Sequence, residues 1–290
     1  MYPARFRYEA PRSVDEAIDL LRAGGGEAKI LAGGQSLIPL LKLRFASPEL
    51  LVDINEVRGL DYLRADPDGT IRIGALCRHA TIERSPIVAA QPTMAAAAPL
   101  IADPIVRNRG TLVGSLCHAD PQGDWSAVVT ALGGHVVAQG PRGRRTIDIS
   151  QFVTGPFETA LAMDELAVEA VVPAPRGTAA GGYLKLERRV GDFATAGAAV
   201  AVELAGGVVV RAGIALTGVG PATIDASDAA AVLVGSPLTA KTIAEAAALA
   251  GQAAQPRTDH RGSADYKRHV VTTFVERILR RIPQTEESAA

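Results

Sequence analysis

Two short glycine-bearing segments carry the chemistry most readily read from this chain: Ala32-Gly33-Gly34-Gln35-Ser36 and Thr111-Leu112-Val113-Gly114-Ser115. Glycine lets a backbone approach a ligand closely and turn its N–H groups outward. Successive outward amides form a concave nest for an anion such as a phosphate. Two such segments, about eighty residues apart, suggest the two halves of a clamp on a pyrophosphate.

Each segment also has a simpler reading. Ala32–Ser36 fits a tight strand-to-helix turn with Ser36 as helix N-cap. Thr111–Ser115 fits a surface turn. Asp124 can accept hydrogen bonds from ribose hydroxyls, or merely start a helix. Arg107 and Arg109, just before the second turn, add positive potential for a diphosphate unless they are only solvated. Cys117-His118 reads as a buried small residue beside a ring, since no acid–base partner is evident near the thiol. Alternation along a strand puts Lys185 and Arg189 on one face, as a solvated surface or a cationic contact.

Other chemistries lack support. There is no G-x-G-x-x-G after a strand and no G-x-x-x-x-G-K-[ST], which removes the main signals for Rossmann and P-loop nucleotide sites. The five histidines show no metal-ligand spacing. Two cysteines, Cys77 and Cys117, are fewer than the four thiolates of an iron–sulfur cluster. They also point to a reducing, cytoplasmic setting. A net charge of −1 and 4% aromatic residues argue against nucleic-acid binding. No apolar run is long enough for a transmembrane helix, and the N-terminus carries no signal core.

The elements that must position these segments follow from periodicity. Residues 1–55 read as a βαβ unit: an extended start, a helix opened by the capping box Ser13/Glu16, and strands at Ala28–Ala32 and Leu50–Ile54. Ser36–Leu43 reads as a helix between the two strands. Residues 56–175 read as mixed and largely antiparallel, with a hairpin around Asp66-Pro67-Asp68-Gly69 and a helix over Thr93–Ala102. Pro173–Thr178 is a linker candidate. Residues 178–284 read as three antiparallel strands followed by helices, and 285–290 as a tail. Tyr266, Val270, Phe274 and Ile278 are expected on the buried face of the last helix. The fold class is therefore α+β: a two-part first domain and a smaller second one.

Together the motifs resemble a known family, the FAD-binding medium subunit of molybdenum hydroxylases of the carbon monoxide dehydrogenase and xanthine dehydrogenase type. The resemblance lies in Ala32–Ser36, Arg109–Ser115, Ala119-Asp120-Pro121 with Asp124, Leu184–Arg189, Gly191–Ala194 and Arg261–Arg268, in order along nearly the whole chain. It implies a FAD-binding domain over 1–175 and a C-terminal α+β domain over 178–284. It implies FAD contacts at Leu31, Ala32, Gly33, Gly34, Gln35, Ser36, Thr111, Val113, Gly114, Ser115 and Asp124, with looser matches at Ile101, Leu166 and Lys185. Val113 departs from the family, which commonly has glycine there. A side chain at this point would push the backbone from the phosphates if the residue needs positive φ.

By the same resemblance the chain is an electron-transfer subunit with no catalytic residue of its own. A large partner would carry molybdenum-pterin and a small one two-iron–two-sulfur clusters, in a dimer of heterotrimers that passes electrons to a terminal acceptor. The complex would be cytoplasmic, or held at a membrane through its partners. A self-sufficient flavin reductase or oxidase would need an acid–base pair that the sequence does not offer. A non-catalytic nucleotide-binding module is the third reading.

Overall fold

The computed structural model describes residues 2–283, so the expected tail at 285–290 lies outside the described residues. The first layer is a parallel sheet of β1 (Arg7–Glu9), β2 (Ala28–Leu31) and β3 (Leu50–Asp53) in the order β1-β3-β2. The expected βαβ unit is completed by α1 (Val14–Gly24) and α2 (Leu37–Leu43). Ser13 caps α1 by accepting from the Glu16 amide, as the sequence predicts, and Glu16 answers with a bond from the Arg12 amide, one residue earlier than the standard box.

The second layer is antiparallel. It contains β4 (Leu63–Ala65), β5 (Ile71–Gly74), β6 (His135–Gly140), β7 (Gly143–Asp148) and β10 (Leu166–Val172), in the order β4-β5-β10-β6-β7. The small hairpin of β8 (Val153–Gly155) and β9 (Glu158–Thr159) stands apart from it. Every residue of the central strand β10 is buried, which its apolar run anticipates.

Short helices fill the space around this sheet: α3 (His79–Arg84), α4 (Pro86–Ala89), α5 (Pro92–Ala97), α6 (Pro104–Arg107), α7 (Leu112–His118), α8 (Asp124–Ala131) and α9 (Ile149–Phe152). The single helix expected over Thr93–Ala102 stops earlier. It tightens into a 3₁₀ turn at Ala98–Leu100, because Pro99 cannot donate to the preceding turn. Ser85-Pro86 and Asp103-Pro104 supply a cap and a first-turn proline for α4 and α6.

The last layer is β11 (Thr178–Leu186), β12 (Ala196–Ala205) and β13 (Val208–Thr217), packed on α10 (Ser227–Ala231), α11 (Ala240–Ala253) and α12 (Ala264–Arg281). A two-residue edge strand, β14 (Ile224–Asp225), makes the expected three-stranded sheet four-stranded. On α12 the buried face is Lys267, Val270, Val271, Val275, Ile278 and Leu279, whereas Tyr266 is 48% exposed. A four-residue repeat advances about 40° per step on a 3.6-residue helix, so three steps rotate Tyr266 off the face that holds Ile278.

Both faces of the last sheet are buried, and alternation divides them. Ala196, Ala198, Val200, Val202, Ile214 and Leu216 face the C-terminal helices. Tyr183, Ala199, Ala201 and Ala215 face the main core, in which Trp125 and Phe152 are the largest fully buried side chains. The second face carries small residues, and the backbones approach accordingly. A Cβ on Gly213 of β13 would fall 2.8 Å from the carbonyl carbon of Ala131 in α8. Gly213→Ala is therefore expected to cost about 1–3 kcal/mol. This would be read as a lower denaturant midpoint at unchanged slope, and an unchanged midpoint would count against the contact.

Candidate functional site

The first glycine segment leaves the carboxyl end of β2, where ligands gather in open parallel sheets. Gly34 has φ +76° and Ser36 is the N-cap position of α2, but the Ser36 side chain makes no capping bond. The amides of Gly34, Gln35 and Ser36 donate to no protein oxygen among the described residues. They are the free donors that an anion nest requires.

The second segment is not a turn. Thr111 is the N-cap of α7, and its Oγ1 accepts from the Gly114 amide at 3.1 Å. Leu112 through Ser115 form the first turn of that helix. Val113 has no positive φ and is 2% exposed, with its side chain in the main core. The departure from glycine is thus absorbed by packing. The Val113 amide has no protein acceptor among the described residues and stays available at the helix start, whereas the bridge between Arg78 and Thr111 turns the Leu112 amide toward the Cys77 carbonyl.

The two segments touch. A Cβ on Gly33 would collide with the Arg109 carbonyl oxygen and lie 2.7 Å from Gly110 Cα. Gly33 is glycine because the second loop passes against it, an approach that the sequence alone ascribes to a ligand. A hydrogen-bonded bridge adds a second tie. Asn55 Nδ2 donates to the Ala32 carbonyl at 2.8 Å, and Arg78 donates to Asn55 Oδ1 at 2.6 Å and to the Arg109 carbonyl at 2.7 Å.

His79 supports the second loop from below. Its backbone amide donates to the Gly110 carbonyl at 2.9 Å, and a Cβ on Gly110 would lie 2.7 Å from its ring. Trp125 Nε1 donates to His79 Nδ1 at 3.0 Å, which leaves the ring proton on Nε2. Burial, with Arg107 and Arg78 nearby, pushes the His79 pKa down from 6.5 to about 4. Asn55, Arg78 and His79 have no motif in the sequence. The only signal available for Asn55 was its place just beyond the carboxyl end of β3.

Trp125 leads directly to a second cluster. Asp124 begins α8, is 8% exposed, and accepts from Tyr183 Oη at 2.5 Å and Lys185 Nζ at 3.3 Å. Lys185 also donates to the carbonyls of Leu100 at 2.7 Å and Asp192 at 3.0 Å, and pairs with Glu187 at 3.4 Å. Burial raises the Asp124 pKa, while Lys185 and Tyr183 oppose it. Burial also lifts the Tyr183 pKa well above its usual value. Lys185 is therefore an inward strut between domains. Arg189 lies beyond the end of β11, so the alternation expected to pair it with Lys185 does not reach it. The loop before Asp124 is held likewise: Thr217 Oγ1 donates to the Gly123 carbonyl at 2.9 Å and the Gly218 amide to that of Pro121.

The remaining sequence candidates are accounted for structurally. Ile101 and Leu166 are buried in the main core, and Leu31 ends β2 beside Gly34. Arg107 is buried and bonded to Glu83 and to the carbonyls of Ile101 and Ala102, so it braces the fold. Arg109 is exposed. Burial pushes the Cys77 and Cys117 thiols up to about 12, leaving them unreactive at neutral pH.

Comparison with known proteins agrees with this architecture. Residues 4–175 match the family described as FAD binding domain in molybdopterin dehydrogenase, and residues 182–282 match CO dehydrogenase flavoprotein C-terminal domain. The chain is 43% identical to the carbon monoxide dehydrogenase medium chain of Hydrogenophaga pseudoflava, over 96% of this chain and 97% of that one. It is also 43% identical to the 6-hydroxypseudooxynicotine dehydrogenase complex subunit alpha of Paenarthrobacter nicotinovorans, over 96% and 95%. It superposes on the solved carbon monoxide dehydrogenase of H. pseudoflava with TM-score 0.92 at 45% identity, covering 97% of this chain and 98% of that one. The corresponding values for quinoline 2-oxidoreductase of Pseudomonas putida 86 are 0.88, 34%, 96% and 97%. The chain belongs to the FAD-binding medium subunits of the molybdenum hydroxylases, a family of oxidoreductases. No helix among the described residues is long and apolar enough to cross a membrane.

Two outcomes test the site. Gly33→Ala is expected to separate the loops and weaken FAD retention at least tenfold, read by flavin fluorescence of the dialysed protein; normal retention would remove the contact from the clamp. The neutral His79 ring contributes stability that is full above about pH 6.5. As pH falls toward 4 the unfolded chain takes up the proton first, so that contribution, about 3 kcal/mol, is lost. Thermal midpoints should therefore fall more steeply with acid in the native protein than in His79→Gln. Parallel curves would refute this assignment.

Proposed function

We propose that this chain is the electron-exit subunit of a molybdenum hydroxylase complex. Electrons would arrive from two-iron–two-sulfur clusters on a small partner, after substrate oxidation at a molybdenum-pterin on a large one. The complex would be a dimer of heterotrimers, cytoplasmic or held at a membrane through its partners. The acceptor would be a quinone, NAD⁺, oxygen or a carrier protein. The observation that carries the reading is the locked loop pair, which presents free amides from Gly34–Ser36 and from the first turn of α7.

FAD, when bound, supplies a carrier that takes up and releases two electrons singly or together. The chain's own part is to hold it. The amides of Gly34, Gln35 and Ser36, with that of Val113, would cradle the pyrophosphate. Leu31–Gly33 and Thr111–Ser115 fix the spacing of the cradle. Ile101 and Leu166 would close its apolar walls. Asp124 and Lys185 act from behind, since each is held by protein partners and together they fix the start of α8 and the Leu100–Ala102 turn.

The assignment is tested by purifying the chain alone and with its partners. The isolated chain should carry FAD yet hydroxylate nothing, whereas the complex should contain molybdenum, iron and FAD and turn over substrate. Oxidation of a small organic substrate by the flavin-loaded chain alone would overturn the assignment. Tyr183→Phe leaves one Asp124 oxygen without its donor, at a cost of about 1–3 kcal/mol. That variant should melt earlier and release FAD faster. Unaltered release would show that Asp124 is not coupled to the flavin.

A further inference from the structure

Beside the second loop lies an open cleft of about 550 Å³. Two guanidiniums, Arg78 and Arg84, line it with the hydroxyls of Thr81 and Ser85, the amide of Asn108 and the apolar Leu63 and Ala80. No carboxylate lines it. The side chains of Thr81, Arg84 and Asn108 make no hydrogen bond to the protein among the described residues. Ser85 Oγ accepts from the Ile87 amide at 3.2 Å, which leaves its own proton free to donate.

Arg78 sets this cleft apart. Arg72, Arg107, Lys185, Arg211 and Lys267 are likewise at least partly buried, and each has a carboxylate within 3.4 Å. Arg78 is bonded only to neutral oxygens of Arg109 and Asn55 and has no ion-pair partner among the described residues. Arg261, which shares that lack, is bonded to Gln122 and to the Phe193 carbonyl across the domain boundary and does not line the cleft. Burial and then the Arg109 guanidinium disfavour the charge on Arg78, and the more distant Asp53 and Asp61 carboxylates offset this only in part. A partly buried guanidinium with no carboxylate bonded to it, at the wall of a cleft that no carboxylate lines, is suited to an added anion.

We propose that this cleft binds the phosphate group of a small phosphorylated ligand of up to mononucleotide size, separate from FAD. Guanidinium forks match phosphate oxygens with paired bonds, and the hydroxyls and amide supply further donors. The volume lies within the range of small-molecule sites. Because Arg78 also holds the Arg109 carbonyl, an occupant of the cleft would bear on the backbone that contacts Gly33.

The test uses the intact flavin-containing complex and titrates it calorimetrically with AMP, inorganic phosphate and, as an uncharged control, adenosine. AMP and phosphate should bind at millimolar concentrations or below, more weakly as salt rises, and adenosine should not. Tighter binding of AMP than phosphate supports a nucleotide occupant, and equal binding supports free phosphate. Arg84→Gln should weaken both at least tenfold while FAD content and the flavin absorption spectrum stay unchanged. Thr81→Ala should weaken both less. The proposal is overturned if neither anion binds, if both variants bind as the native complex does, or if AMP releases FAD in proportion to its own binding.

Discussion

The pairing of the two glycine loops depends on one steric fact: the backbones at Gly33 and at Arg109–Gly110 lie against each other with no room for a side chain between them. Hydrogen bonds then hold what this contact allows. Asn55 and Arg78 bridge the carbonyls on either side, and the His79 ring props Gly110. The first loop leaves the parallel sheet and the second joins α6 to α7, which packs on β10 and β5, so the contact also ties the parallel layer to the antiparallel one. The free amides owe their placement to this contact rather than to either loop alone.

A second constraint comes from the C-terminal sheet. Tyr183 and Lys185 reach across to Asp124, and Thr217 and Gly218 grip the loop ahead of it. A buried ion pair of this kind adds little net stability when intact, yet removing one partner is costly. The start of α8 is therefore specified by residues sixty to ninety positions away. Through Trp125 and His79 the same helix meets the underside of the second loop.

Much of this was legible in the sequence, in proportion to how local the physics was. The βαβ unit, the hairpins and the long C-terminal helices follow from periodicity and caps. Both glycine segments were found, as was Asp124 at a helix start. What escaped was non-local. Asn55, Arg78 and His79 are single residues whose roles exist only once two sheets are juxtaposed. The helical start at Thr111 was hidden because Gly114 reads as a turn, although its lack of a side chain makes room for the Thr111 hydroxyl. Tyr266 was misplaced by treating a period of four as though it were 3.6.

The alternating faces of β12 bear on how such a subunit can evolve. Ala196, Ala198, Val200 and Val202 pack on the C-terminal helices, and Ala199 and Ala201 on α5 and α8 of the flavin-binding part. The two domains thus share one strand layer as a common wall. A lineage could not trade its C-terminal domain for another of the same fold without matching that wall residue by residue. Novelty is freer to accumulate at the exposed loops and at the surfaces that meet other chains, and the two-domain body is inherited as a single piece.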